Sequence, residues 1–405
     1  MLKLQTPHDH RPRVVLARRV IAACALMSVA TAEAHNDASV VMARVEAAQS
    51  SAATDFDRLP LSELMEKLHV PGLSVAVVDN FKIHWAKGYG VADAATGRKV
   101  DISTRFQAAS ISKPVTALAA MHMVQNKQLD LDADVNTILT SWRVPVSDYT
   151  RQQAVTPRAL LSHTSGADDG FGFDGYAPSA PLPTVVQIIE GKAPANNGKV
   201  LFARAPFVKS KYSGGAWTIM QQALMDRSGK PFSRLMAATV LGPLQMSHSA
   251  FVPPKTADAA SNAALAHDKL GRRMASPWRV HPELAAAGLW TTPSDLARFM
   301  VEIQSALRGP RGTILSQQSA KEMIAPVGVG RYAIGWAIDQ RNDGWHFSHG
   351  GDNVGYRAFM IGHVRKGYGF IIMANGENGM ALMNQVAERI TNAYQWEEPT
   401  PSTPQ

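Results

Sequence analysis

The chain has 405 residues, 45% of them hydrophobic and 18% charged, with a net charge of +8. That size and composition support a full hydrophobic core and two lobes, and exclude a disordered or fibrous chain. Residues 1–34 hold five basic and two acidic residues, so the rest carries only +5; with no Lys/Arg run and no basic–aromatic stripe, nothing points to nucleic acid.

Residues 1–34 read as an export signal. A basic stretch ends at Arg18-Arg19, Val20 to Ala30 is apolar, and Ala32-Glu33-Ala34 is an A-x-A cleavage site before His35. The apolar run is too short to span a bilayer. Arg18-Arg19-Val-Ile loosely resembles a twin-arginine signal and Ile21-Ala-Ala-Cys24 a lipoprotein box, but simple cleavage after Ala34 is the preferred reading. Cleavage removes Cys24, the single cysteine, so the mature protein has no thiol, disulfide or cysteine metal site. An exported protein, periplasmic or secreted, without a stable membrane span is expected.

Residues 35–57 are read as an N-terminal extension and 58–395 as the folded domain. Leu61 to Leu68 has helical periodicity; Leu73–Val78, a turn at Asp79-Asn80 and Ile83–Tyr89 read as a hairpin. From about 114 to 283 the segments are helical, such as Thr184–Glu190 and Trp217–Arg227, broken by Gly, Pro, Asp and Asn. Strand patterns return at Tyr332–Ile338, Trp345–Ser348, Tyr356–Ile361 and Gly369–Met373, before a helix from Ala381 to Tyr394. The expected fold is α/β in the α+β sense: one antiparallel sheet built from both chain ends (about 58–113 and 284–395), flanked by helices, with a mostly helical lobe (about 114–283) inserted. Residues 396–405, rich in Pro, Thr, Ser and Glu, read as a disordered tail.

Three constellations carry chemistry. The first is Ser110-Ile-Ser-Lys113 ahead of Pro114 and an apolar run to Val124. With Pro114 in the first helical turn, Ser110 lies at or just before the helix N-terminus and Lys113 about one turn on. Serine hydroxyl and lysine amine then share a face, and the helix dipole favours negative charge at the serine. The competing role is a helix cap, with Lys113 as a solvated first-turn residue. The second is Lys211-Tyr212-Ser213-Gly214-Gly215 before a helix: a phenol beside lysine cations can work as a phenolate base, or Tyr212 is a packed turn residue. The third is Phe347-Ser348-His349-Gly350-Gly351-Asp352, where glycines on a strand admit a substrate backbone and an N–H completes an oxyanion hole, or the glycines form a bulge. His346 and His349 hint at a metal pair, but three residues apart on a strand they face opposite sides. No metal and no cofactor are expected. His163 reads as a packing and turn residue, and Asp168 to Gly175 as a flexible segment near the cleft mouth rather than a calcium loop.

Phe106-x-x-x-Ser110-x-Ser-Lys113-Pro, Leu160-Leu-Ser-His-Thr-Ser-Gly166, Tyr212-Ser-Gly, Ala287-Gly-Leu-Trp-Thr-Thr-Pro-Ser-Asp-Leu296 and His349-Gly-Gly, in this order, resemble the serine β-lactamase and penicillin-binding-protein-like hydrolases. The nearest branch looks like class C β-lactamases, D-alanyl-D-alanine carboxypeptidases, D-aminopeptidases and related esterases. The resemblance implies that Ser110 forms an acyl-enzyme while Lys113 and Tyr212 share proton transfer, either being the base. It places His349, Gly350, Gly351 and Asp352 on the substrate and oxyanion side, with the N–H groups of Ser110 and Asp352 binding the oxyanion. Where the family's β-lactamases carry Tyr-x-Asn this chain has Gly214, and the usual Lys-Thr-Gly is His349-Gly350-Gly351. A cation is thereby replaced by a group expected to titrate near neutrality. The implied function is an exported serine hydrolase acting on a D-amino-acid peptide, β-lactam or small ester. The alternative is a homologue that binds penicillin or peptidoglycan with little or no turnover. A small-molecule or peptide substrate is the implied partner, and the sequence carries no signal for oligomeric state.

Overall fold

The computed structural model describes residues 37–49, 54–169, 172–310 and 312–396. The export segment and the tail beyond Trp396 lie outside the described residues. β1 (Gly72–Asp79) and β2 (Lys82–Asp93) form the expected hairpin. Its loop is Asn80-Phe81, one residue later than expected. Both have positive φ, 53° and 62°, the two-residue geometry that matches the twist of the flanking strands, so Asp79 stays paired with Lys82.

With β3 (Arg98–Lys99), β6 (Ala337–Arg341), β7 (Gly344–Asn353), β8 (Tyr356–His363) and β9 (Gly369–Ala374), these strands make one antiparallel seven-stranded sheet in the order β3-β2-β1-β9-β8-β7-β6. The chain ends meet where β1 pairs with β9, Leu73 opposite Ala374. Residues alternate along β1 between two cores: Val75 and Val77 face one side, Ala76 and Val78 the other. The first side is covered by α1 (Ala38–Glu46), α2 (Leu61–Lys67) and the C-terminal helix Gly379–Tyr394. The second is covered by Pro293–Arg308 and the helical part of the molecule, with Phe299, Met300 and Trp336 in the seam. Between Gln107 and Trp290 the described residues form helices and loops, with strand contacts limited to single bridges. α3 (Ser112–Gln125) runs through this layer with Ser112 to Met121 buried all round, and α4 (Gly214–Ser228) packs nearby, Trp217 fully buried.

Several expectations shift. The extension at 35–57 contains α1, whose Val41 and Val45 are core residues. Tyr332 to Ile338 is not one strand: Gly335, at φ 82° and close against Pro114 and Ala117, turns the chain so that β6 begins only at Ala337. Trp396, assigned to the tail, stacks on Tyr368 and Tyr394 at 4.2 and 4.3 Å. A second small sheet, β4 (Phe106–Gln107) with β5 (Trp290–Thr291), joins the chain segment before Ser110 to the Ala287–Leu296 block.

Candidate active site

β4 leads straight into the serine. Ala108 N–H donates to Leu289 O at 2.9 Å, prolonging the β4–β5 ladder, and one 3₁₀ turn, Ala109–Ile111, precedes α3. Ala109 has φ 47°, a conformation uncommon for a residue with a Cβ, and strain of this kind clusters at functional sites. Neither the turn nor α3 has a side-chain cap, so Ser110 does not play the capping role. Ser112 instead pins the turn: its hydroxyl donates to Ala109 O at 2.6 Å and accepts Leu289 N–H at 3.0 Å.

Pro114 occupies the first turn as expected, and Lys113, only 2% exposed, points its Nζ at Ser110 Oγ (2.9 Å) and Ala286 O (2.8 Å). Burial penalises the ammonium and brings Lys113 from 10.5 down to about 7, while the Asp169 carboxylate pulls it back up. Tyr212 bonds to Ser110 and sits beneath the lysine, whose Nζ is 4.9 Å from the ring centroid. Burial pushes this phenol up and outweighs the Ser110 hydrogen bond, so it stays protonated. Burial thus disfavours the phenolate expected beside lysine cations, and Lys211, the sequence neighbour of Tyr212, is paired with Asp168.

β7 brings the third constellation alongside. β6 pairs with β7 only as far as Ser348, whereas β8 follows it to Asn353. From His349 onward one edge of β7 therefore lacks a strand partner and borders the serine turn. A Cβ on Gly351 would stand 2.3 Å from Ala108 O, which is why a glycine is needed there. His349 is 5% exposed, 6.3 Å from Tyr212 between ring centroids, and its Nδ1 donates to Gly350 O at 2.7 Å. Burial, then Lys113 and Arg331, push this imidazole down to about 3. The expectation that position 349 titrates near neutrality is corrected: the ring is neutral, and its buried Nε2 is an acceptor without a partner. The Asp352 side chain is half-exposed and pairs with Arg357 at 2.8 Å.

Within the Asp168–Gly175 segment, expected to be flexible near the cleft mouth, Asp168 and Asp169 are held by neighbours while Gly172 and Asp174 are exposed. Asp168 pairs with Lys211 and Arg204; Asp169 accepts from Ser213 Oγ and Gly215 N–H. Phe173 covers Gly214, where a Cβ would meet its ring at 2.7 Å.

Sequence reasoning missed Asp169 and the Ala286 carbonyl. Ala286 stands immediately before a block that sequence order had singled out, but a main-chain acceptor has no residue-type signature. His346 and His349 do face opposite sides of β7. On its side His346 joins Asp343 and His363, with ligand-type atoms within 4.8 Å of one another. His363 Nδ1 accepts N–H groups from Arg365 and Lys366 (2.9 and 3.0 Å), and its Nε2 reaches Asp343 O at 3.0 Å. The proton therefore sits on Nε2, which makes that atom a hydrogen-bond donor and not a metal ligand.

An antiparallel sheet closed by both chain ends, an adjoining helical layer and a serine, lysine and tyrosine clustered at their junction define the class of penicillin-binding-protein-like serine hydrolases. The sequence model of the Beta-lactamase family matches residues 60–395, and the chain belongs to that family. Protein flp of Staphylococcus aureus (strain N315) is 25% identical over 325 residues, 77% of this chain and 61% of its own length; the chain thus spans about three-fifths of the length of that curated relative. A beta-lactamase/D-alanine carboxypeptidase from Pseudomonas syringae superposes with TM-score 0.64 at 21% identity, covering 83% of this chain and 97% of that one. The D-amino acid amidase from Ochrobactrum anthropi SV3 superposes with TM-score 0.62 at 19% identity, again over 83% and 97%. At these identities the structural likeness is one of fold. No helix among the described residues is long and apolar enough to cross a membrane.

Proposed function

We propose that the protein is an exported serine hydrolase that cleaves an amide or ester through an acyl-enzyme on Ser110. The observation that carries this reading is a buried lysine amine, brought to about 7, at 2.9 Å from the serine hydroxyl. Neutral Lys113 takes the Ser110 proton as Oγ bonds the substrate carbonyl carbon. The N–H groups of Ser110 and Asp352 receive the oxyanion. Tyr212, protonated, hands its proton to the departing nitrogen or oxygen as that bond to carbon breaks, and regains one from Lys113. Water then adds to the acyl carbon, giving its proton to the same pair, and the acid leaves with Ser110 restored.

The substrate-side groups favour neutral or amine-bearing acyl compounds. A lysine at position 349 would meet a carboxylate; a neutral imidazole whose Nδ1–H is tied to Gly350 O offers an acceptor, which matches a substrate N–H, ammonium or hydroxyl. Phe173 over Gly214 supplies an apolar wall where an amide-binding side chain would stand. D-Amino-acid amides and small esters therefore fit better than β-lactams, in line with the amidase among the structural relatives. The basic–apolar–Ala-x-Ala start supports export.

The test uses the mature protein and Ser110→Ala with a penicillin, p-nitrophenyl butyrate and D-alanine p-nitroanilide, following intact mass and released product. Adducts or product from the native chain alone are expected, with the butyrate or anilide turned over faster than the penicillin. A native chain inert toward all three, or a variant equally active, overturns the reading; a penicillin adduct that never clears, without turnover of the others, favours a binding homologue.

A further inference from the structure

His163 lies outside the set of groups that touch the reacting atoms, yet Tyr212 is held through it from three directions. Lys211 N–H, just before the tyrosine, donates to His163 O at 2.8 Å. Ser213 N–H, just after it, donates to His163 Nδ1 at 3.1 Å. Between these two anchors the imidazole lies parallel to the phenol ring, 4.2 Å between centroids and 22° between planes. Tyr332 closes against the histidine edge-on at 4.7 Å, so the imidazole cannot tilt away.

The backbone of His163 is itself unusual, with φ 60°, a conformation that costs a non-glycine residue roughly 1–2 kcal/mol. At 1% exposure the ring is buried, and its Nε2 finds no hydrogen-bond partner. Because Nδ1 accepts, the proton of the neutral ring sits on Nε2. Burial and the nearby Lys113 and His349 keep the ring neutral. A packing residue chosen for stability alone would avoid both the left-handed backbone and an orphaned buried N–H.

We propose that His163 is the positioning residue of Tyr212, presenting the phenol to Ser110 by clamping the main chain on both sides of it and stacking on its ring. The proposal rests on the reading of Tyr212 as a proton carrier and goes beyond the expectation that His163 is a packing and turn residue. Three substitutions separate the parts of the clamp. His163→Asn keeps an acceptor and a side chain tolerant of the left-handed backbone but loses the ring; His163→Phe keeps the ring and loses the acceptor; His163→Ala loses both.

The experiment is a cycle of these variants with Tyr212→Phe, measuring kcat and KM on whichever substrate the native protein turns over. Near-UV circular dichroism and labelling of Ser110 by a fluorophosphonate serve as checks that each variant is folded. His163→Ala is expected to lower kcat on the order of 100-fold while KM moves less than about threefold, because a misplaced catalytic group costs rate and not binding. His163→Asn or His163→Phe should recover part of the loss. In the Tyr212→Phe background the same His163 substitution should cost less than about threefold, since the group it places is gone. If His163→Ala does not fold, the Asn and Phe variants carry the cycle. Losses that multiply in both backgrounds, or a rise in KM with kcat intact, overturn the positioning role. A Tyr212→Phe variant with native kcat, beside an inert Ser110→Ala, overturns the reading of Tyr212 and this proposal with it.

Discussion

His346 and His349 stand three residues apart on one strand, both nearly fully buried, and live in opposite worlds. On the His346 side, polar atoms answer one another: Nδ1 reaches Gly344 O, the Tyr368 hydroxyl bonds the Asp343 carboxylate, and His363 is engaged through both nitrogens. Asp343 Oδ1 is the one atom of that cluster left over. On the His349 side the lysine amine is desolvated, His349 Nε2 has no partner, and Ser110 is partly exposed. A polar cluster whose demands are met is a fastening, whereas one left short of partners is prepared for a substrate that will supply them.

Changing His349 tests that contrast with the largest effect. His349→Lys puts a donor in place of an acceptor, so kcat/KM for a carboxylate-terminated substrate relative to its neutral amide should rise roughly tenfold or more, as a hydrogen bond to a charged group allows. Paired substrates differing only in that terminus provide the measurement, and an unchanged ratio would remove His349 from substrate recognition.

The proton balance of the same side gives a smaller, sharper effect. Lys113 must be unprotonated to accept from Ser110, so kcat/KM should climb with pH through about 7 and level off above it. Asp169 favours the ammonium, so Asp169→Asn should move the rise to lower pH. A profile on a neutral ester reads both, and a shift to higher pH would contradict the assignment of Lys113 as base. No separate rise from His349 belongs in that profile, since its imidazole is already neutral.

The smallest effect on rate belongs to the other face. His346→Phe should leave kcat within about twofold yet lower unfolding stability by about 1–3 kcal/mol, the cost of leaving buried partners unmatched. Urea unfolding beside steady-state rates checks both halves. A large loss of kcat in a folded variant would mean that the two faces of β7 are not independent.

Much of this organisation was readable from residue order. Apolar alternation and turn residues placed strands at both chain ends, and those strands form one antiparallel sheet. The spacing of Ser110, Lys113 and Pro114 placed hydroxyl and amine together because a helix repeat is local geometry. The motif order tied in Tyr212 and His349, and the family they resembled is the one to which the chain belongs. The short pairings that position the site were not readable: β4 with β5 are two residues each, too short for a periodic signal.

Sequence alone therefore determined the longer strands and helices, which follow from periodicity along the chain, while the order of its motifs named the residue types that converge on the cleft. Tertiary structure decided what those residues are chemically. Lys113 is near neutrality, Tyr212 stays protonated and His349 is an uncharged acceptor because desolvation and neighbours distant in the chain set protonation. His163 meets the chain around Tyr212 because Lys211 and Ser213, about fifty residues away, fold back onto its carbonyl and ring nitrogen, contacts that arise only when the chain is closed on itself.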